Sequence, residues 1–162
     1  MRNGWSILGQ TDRGVDKPMV QPGMQTDIAI VGGGAAGLAA AALCARAGVR
    51  TAVLEKASRV GKKLLATGNG TCNLTNLSAS PARYHGEGAE AFVRFALEKC
   101  SPQTTVKFFE EIGLLCETRE NGRIYPRTAQ ASAVLDCLRL ALSAAGGEEW
   151  TDCPVTSIQK EA

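Results

Sequence analysis

The sequence predicts an α/β fold built on a doubly wound parallel sheet. Three observations predict it. An apolar run, Ile28-Ala29-Ile30-Val31, leads directly into Gly32-Gly33-Gly34-Ala35-Ala36-Gly37. An alanine-rich stretch follows to Ala47 and stops at Gly48, a residue suited to the left-handed end of a helix. A second apolar run, Arg50-Thr51-Ala52-Val53-Leu54, then ends in an acid, Glu55, 18 residues after Gly37. Strand, glycine turn, crossover helix and strand in this order make the repeating piece of a parallel α/β sheet.

Each part of this unit suits a dinucleotide. Gly32 permits the tight turn out of the strand. Gly34 lacks a Cβ, so a pyrophosphate can approach the backbone. Gly37 lets the helix lie close against the strand. The helix start offers N–H groups and the positive end of its dipole to phosphate. The Glu55 carboxylate can accept hydrogen bonds from ribose hydroxyls and would repel a 2′-phosphate, which favours FAD or NAD over NADP. The unit alone leaves FAD, NAD and S-adenosylmethionine open.

A chain of 162 residues has the size of one domain. A net charge of +2 and an aromatic content of 5% give no basic, aromatic-rich surface for nucleic acid. The six cysteines are Cys44, Cys72, Cys100, Cys116, Cys137 and Cys153, none in a C-x-x-C pair, and His85 is the single histidine. No metal site is expected from that inventory. Residues 1–26 are polar and glycine-rich without the apolar core of an export signal, and no stretch is long and apolar enough to span a membrane. The chain therefore reads as cytoplasmic with reduced thiols, acting on a small molecule and not on nucleic acid or a membrane.

Residues 1–26 show no helical or strand period and read as a mobile extension, with Met24 as the expected natural start and residues 27–162 as the folded part. After Glu55-Lys56 the chain carries Val60-Gly61-Lys62-Lys63-Leu64-Leu65 and then Thr67-Gly68-Asn69-Gly70-Thr71-Cys72-Asn73-Leu74-Thr75-Asn76. The lysine pair is no P-loop, because position 56 is Lys where that motif needs Gly. The Gly/Asn/Thr-dense loop reads either as a solvated surface loop or as a cofactor loop. In the second case its backbone N–H groups and amides would face a planar heterocycle. Its N-x-[ST] matches at Asn69, Asn73 and Asn76 read as accidents of composition.

His85 lies in the loop from Ser78 to Gly88 and reads as exposed. Phe92, Val93, Ala96, Leu97 and Cys100 share one helical face over Ala89–Cys100. Ser101-Pro102 supplies a cap and first-turn proline for the next helix, which is expected to bury Val106, Phe109 and Ile112 and to end at Gly113. Asn121-Gly122, flanked by 114–118 and 123–125, signals a hairpin. Thr128 is expected to cap a long helix with Val134, Leu135, Leu138, Ala141, Leu142 and Ala145 on one face, stopped by Gly146-Gly147. Trp150 and Val155–Ile158 read as two short strands. A sheet ending there would keep an open edge, which points to a larger protein of which this chain is the first part.

From Gly61 onward the sequence resembles the BaiN-like, aminoacetone-oxidase-type family of FAD-dependent oxidoreductases. That family carries a loop of the form G-K-K-L-L-x-T-G-N-G-R-C-N-x-T-N after its dinucleotide fingerprint. Gly122-Arg123-Ile124-Tyr125-Pro126 and Gln130-Ala131-Ser132-Ala133-Val134-Leu135-Asp136 also follow its pattern. The resemblance runs from about Asp27 to Lys160 and implies a partial Rossmann-like, glutathione-reductase-type FAD-binding domain with a helical segment and a small hairpin.

It further implies FAD as the tightly held cofactor and NAD(P)H as a candidate electron donor. Gly32, Gly34, Ala35, Ala36 and Gly37 would hold the pyrophosphate, and Glu55 with Lys56 the adenosine ribose. Lys63, Thr67, Gly68, Asn69, Gly70, Cys72 and Asn73 would line the ribityl chain and flavin, and the Val155 backbone would meet the adenine. Position 71 departs from the family, with Thr in place of Arg. The function implied is two-electron oxidoreduction of a small organic substrate. The alternative is a non-catalytic dinucleotide-binding fragment. No catalytic acid or base is named, and Cys72 reads as packing ahead of redox chemistry.

Overall fold

A computed structural model describes residues 5–10, 16–18 and 26–160, with side chains from 26 to 159. The elements run β1 (Trp5–Gln10), β2 (Asp16–Pro18), β3 (Ile28–Val31), α1 (Ala35–Arg46), β4 (Thr51–Leu54), α2 (Lys62–Leu65) and β5 (Thr75–Asn76). They continue as α3 (Ala89–Lys99), α4 (Pro102–Glu111), β6 (Cys116–Thr118), β7 (Arg123–Pro126), α5 (Ala131–Ala144), β8 (Glu148–Trp150) and β9 (Ser157–Lys160). The chain divides into two units, the first drawn from 1–62 and 138–162 and the second from 63–137.

The first unit carries the parallel sheet, in the order β3-β4-β8. Ile28 pairs with Thr51 and Val31 with Leu54, while Ala52 pairs with Glu148 and Leu54 with Trp150. Parallel neighbours need a crossover, and α1 supplies the one between β3 and β4. All four residues of β4 are buried, as befits a central strand covered on both faces. Leu38, Ala41, Ala42 and Ala45 form the buried stripe of α1, spaced as a helix facing a sheet requires.

Gly48 ends α1 at φ +80, with Gly48 N–H donating to Ala45 O and Val49 N–H to Cys44 O. These bonds satisfy the last carbonyls of the helix in the pattern that a left-handed glycine allows. The end of α5 is closed the same way, by Gly146 and Gly147 donating to Ser143 O and Leu142 O. Arg139 then binds Glu149 through both carboxylate oxygens at 2.9–3.0 Å.

A second sheet of the same unit is ordered β2-β1-β9. Residues 5–10 and 16–18 are strands, where no strand period was expected. β1 pairs antiparallel with β9 from Trp5↔Lys160 to Leu8↔Ser157. Such pairing joins segments about 150 residues apart, so no local periodicity announces it. The supposed start at Met24 lies outside the described residues. The last strand begins at Ser157, so Val155 stands outside it, and β9 joins the antiparallel sheet, not the parallel one.

In the second unit β5, β7 and β6 form an antiparallel sheet in the order β5-β7-β6. The hairpin β6–β7 turns through Asn121 at φ +61 and Gly122 at φ +75, the consecutive left-handed residues that an Asn-Gly pair accepts at low cost. Ser101 caps α4 as expected, its Oγ accepting from Thr104 N–H at 3.1 Å. Val106, Phe109 and Ile112 are half-buried, not buried. The apolar residues of α3 are not covered: Phe92 and Phe95 are 76% and 65% exposed, and no residue of the helix is buried. Amphipathic spacing reports a preference for a covered face, not that this unit supplies the cover.

The last long helix starts at Ala131, three residues after the cap expected at Thr128. Ala129, at φ +53, donates to Pro126 O and turns the chain before the helix can begin. Ala131, Val134, Leu135, Leu138 and Leu142 are its buried positions.

Candidate functional site

The glycine turn joins β3 to α1 in the first unit. Gly32 takes φ +103, and its N–H donates to Leu54 O at 2.8 Å, continuing the ladder between β3 and β4 by one step. A Cβ on Gly37 would lie 2.0 Å from Gly32 O, so only glycine lets the helix start this close to the strand end. A Cβ on Gly34 would meet nothing within 4 Å, which leaves an open approach to the backbone there.

The first intrahelical bond of α1 runs from Leu38 N–H to Gly34 O at 2.9 Å. The N–H groups of Ala35, Ala36 and Gly37 precede it and have no helical acceptor. Gly34 brings no side chain to cap them, and no acid sits in the first turn. Ala35 and Ala36 are exposed and add no bulk beyond a methyl. The arrangement has the features that suit an anion: donors, a positive dipole end, and no competing carboxylate on the helix itself.

Glu55 follows β4 and reaches back to the turn. Its Oε2 accepts from Gly33 N–H at 2.8 Å and its Oε1 from Ala57 N–H at 2.8 Å. The Ala57 bond holds the carboxyl below the usual carboxylate range. The Gly33 bond and the nearby cations of Lys56 and Lys62 act in the same direction, while partial burial opposes them. The chain beyond Glu55 is tied alongside β8. Glu55 N–H donates to Trp150 O, Cys153 N–H to Glu55 O, and Asp152 N–H to Ala57 O, all at 2.8–3.0 Å. Lys56 is exposed, and Val155, two residues past Cys153, is half-buried.

Three residues at this turn were given no role from the sequence: Gly33, Val60 and Gly61. Gly33 O accepts from Gly61 N–H at 2.7 Å. A Cβ on Gly33 would stand 2.5 Å from Val60 Cγ1 and 2.9 Å from its Cβ. The signal that could have found Gly33 is a fourth glycine, at a fingerprint position that tolerates any residue.

The remaining predicted residues belong to the second unit. Thr67–Gly70 form a 3₁₀ turn in which Gly68 and Asn69 both adopt left-handed angles, and Gly70 and Cys72 follow at φ +84 and +56. Thr67 Oγ1 donates to Leu64 O at 2.6 Å, Thr71 Oγ1 to Gly68 O at 2.5 Å, and Cys72 N–H to Thr67 O at 3.1 Å. The loop is thus folded by its own bonds and is not a slack surface segment. Cys72 is buried within it, 7% exposed, as the packing role requires, while Lys63, Thr67, Gly68, Asn69 and Asn73 are exposed. Asn76 is a structural residue: its Nδ2 donates to Asn121 O at 3.1 Å and its Oδ1 accepts from Ser78 N–H at 2.8 Å. His85 is exposed in its loop. Among the described residues no cluster of His, Cys, Asp or Glu could hold a metal ion, and no helix is long and apolar enough to cross a membrane.

The sequence pattern of the HI0933-like protein Rossmann domain family matches residues 26–162. A 3-dehydro-bile acid delta(4,6)-reductase of Clostridium scindens is 40% identical over 137 residues, which cover 83% of this chain and 33% of that protein. A ribosomal RNA dihydrouridine synthase of Haemophilus influenzae is 34% identical over 96 residues, 59% of this chain and 24% of that protein. The chain thus spans a third or less of the length of these curated relatives. Among solved structures, a 3-ketosteroid-delta4-(5alpha)-dehydrogenase of Rhodococcus jostii RHA1 superposes with a TM-score of 0.53 at 15% identity, covering 78% of this chain and 38% of that one. Thermovibrio ammonificans THI4 does so with a TM-score of 0.51 at 20% identity and the same coverages. These two share the fold.

Proposed function

The chain belongs to the HI0933-like Rossmann domain family, and we propose that it holds FAD and serves an FAD-dependent two-electron oxidoreductase. The observation that carries the proposal is the start of α1, where the first-turn N–H groups lack helical acceptors and a Cβ on Gly34 would meet nothing within 4 Å. The residues of the first unit fit the ADP half of the cofactor. The N–H groups of Gly34, Ala35, Ala36 and Gly37 would bind the diphosphate. Glu55 would accept from the ribose hydroxyls, each carboxylate oxygen having a second lone pair beyond its backbone bond. Lys56 would sit beside the ribose, and Val155 would offer its backbone to the adenine. In the second unit Lys63, Thr67, Gly68, Asn69, Gly70, Cys72 and Asn73 would serve the ribityl chain and flavin. When bound, FAD would supply two-electron transfer, and the protein's part would be to bind, orient and exclude water.

The substrate proposed is a small organic molecule, with NAD(P)H as the donor that reduces the flavin. Of the relatives above, one is named a reductase and the other a dihydrouridine synthase. For the whole protein this ranks reduction of an unsaturated ring ahead of oxidation. A second reading, in which this length of chain binds the dinucleotide without turnover, is favoured by its coverage of a third or less of those relatives.

Competition separates these proposals from an unrelated anion site. FAD fluorescence is followed on adding the chain, and ADP and FMN are then tested as competitors. Displacement by ADP with little by FMN supports the adenosine-diphosphate cradle. FMN binding as tight as FAD, or no response to FAD, contradicts it.

A further inference from the structure

We propose that Glu55 is a positioning residue for the diphosphate-binding turn: it acts through the Gly33 peptide, holding the turn in shape whether or not a ribose is present. The inference rests on the cradle reading above and deepens it.

Every polar atom of Gly33 is committed. Its N–H donates to Glu55 Oε2 at 2.8 Å, and its carbonyl accepts from Gly61 N–H at 2.7 Å. Its open face is covered by Val60, which is 3% exposed and would collide with any side chain placed there. Glu55, Val60 and Gly61 therefore form a clasp, closed over the peptide that immediately precedes the Gly34–Gly37 donors. The other carboxylate oxygen is fastened to Ala57 N–H at 2.8 Å, so the side chain is held from both ends. Both amides find their acceptor in one ionised group, and a charge-assisted bond of this kind is stronger than a neutral one.

Two accounts of Glu55 now differ in sign. If the carboxylate served the ribose alone, it would be a bystander to a ligand with no ribose. By Coulomb's law alone, removing its negative charge would even strengthen the binding of a bare diphosphate. The clasp makes the opposite claim. Without the carboxylate the Gly33 N–H loses its partner, the turn relaxes, and donors that converged on one anion diverge.

Inorganic pyrophosphate is the discriminating probe. The ¹⁵N-labelled chain is titrated with it while the amides of Gly34, Ala35 and Ala36 are followed by NMR, in the wild type, in Glu55→Gln and in Glu55→Asp. Glutamine removes the charge. Aspartate keeps the charge but is shorter by roughly 1.5 Å and cannot span both amides. The clasp predicts that both variants weaken pyrophosphate by about tenfold, the scale of one lost hydrogen bond to a charged group. They should also lose the downfield shift of the Gly33 amide. If Glu55→Gln fails to fold, Glu55→Asp carries the same test. Unchanged or tighter pyrophosphate binding in the variants, with adenosine binding weakened, overturns the clasp and returns Glu55 to the ribose alone. No response of these amides in the wild-type chain overturns the diphosphate reading itself.

Discussion

Gly37→Ala and Gly34→Ala are the same chemical change at two glycines of one turn, and the structure predicts opposite consequences. At Gly37 the new Cβ would lie 2.0 Å from Gly32 O and 3.2 Å from Gly32 C. Restoring van der Waals contact requires α1 or the end of β3 to move by about 1.4 Å. Overpacking of this kind costs about 1–3 kcal/mol, and the upper end applies because the obstacle is backbone on both sides. Alanine's helix preference returns up to about 1 kcal/mol. The net loss is about 2 kcal/mol, a fall in Tm of about 4–8 °C for a chain of this size.

At Gly34 the Cβ meets nothing within 4 Å, and the backbone, at φ −85 and ψ −175, is ordinary for any residue. The cost there is the exchange of glycine for a poorer cap, about 1 kcal/mol at most. That methyl stands instead where a diphosphate would approach. Thermal unfolding of the two variants, paired with ADP titration, gives the comparison. Gly37→Ala should lose the greater stability, and Gly34→Ala should stay folded while ADP affinity falls at least about tenfold, the size of one lost bond to a charged group. A Gly37→Ala chain as stable as the wild type would refute the close-approach argument. A Gly34→Ala chain that binds ADP normally would refute the open-approach argument.

Leu38 is fully buried in the stripe of α1, and Leu38→Ala should cost about 2–5 kcal/mol in urea unfolding; a loss under about 1 kcal/mol would mean the helix is not seated on the sheet as described. Thr71→Arg deletes the hydroxyl that donates to Gly68 O and should cost about 1 kcal/mol, which Thr71→Ser avoids; equal melting of all three chains would show that bond contributes nothing. Glu55 has its pKa lowered from 4.5 by its backbone bonds. Its contribution to stability is therefore complete above about pH 4.5 and is lost as pH falls through the lower folded value. Unfolding free energies measured from pH 7 down to pH 3 should fall more steeply for the wild type than for Glu55→Gln, and parallel curves would contradict the assignment.

The local parts of this fold were legible because their causes are local. The strand, glycine turn and helix around Gly32–Gly37 follow from periodicity and from the backbone freedom of glycine. The Asn121-Gly122 turn and the Ser101 cap follow from side-chain and dihedral preferences at single positions. What stayed hidden depends on partners remote in sequence. β1 is a strand because β9 offers its backbone, and nothing in Trp5–Gln10 announces that. Phe92 and Phe95 share a helical face, yet spacing cannot say whether a neighbour covers it.

The same division runs through the site. The fingerprint glycines and Glu55 were visible because they keep fixed intervals. The clasp of Val60 and Gly61 over Gly33 was not, since it depends on how the chain after β4 folds back. Thr71 and Asn76 looked like members of a polar loop, and their structural bonds to Gly68 O and Asn121 O appear only once the loop is folded.

The central claim is that this chain holds FAD, and the most direct measurement is its visible absorption. The purified chain is saturated with FAD, freed of excess, and its flavin and protein are quantified together. The account predicts a yellow protein carrying close to one flavin per chain, and loss of that colour in Gly34→Ala. A chain that remains colourless after loading would contradict the claim that this chain holds the cofactor.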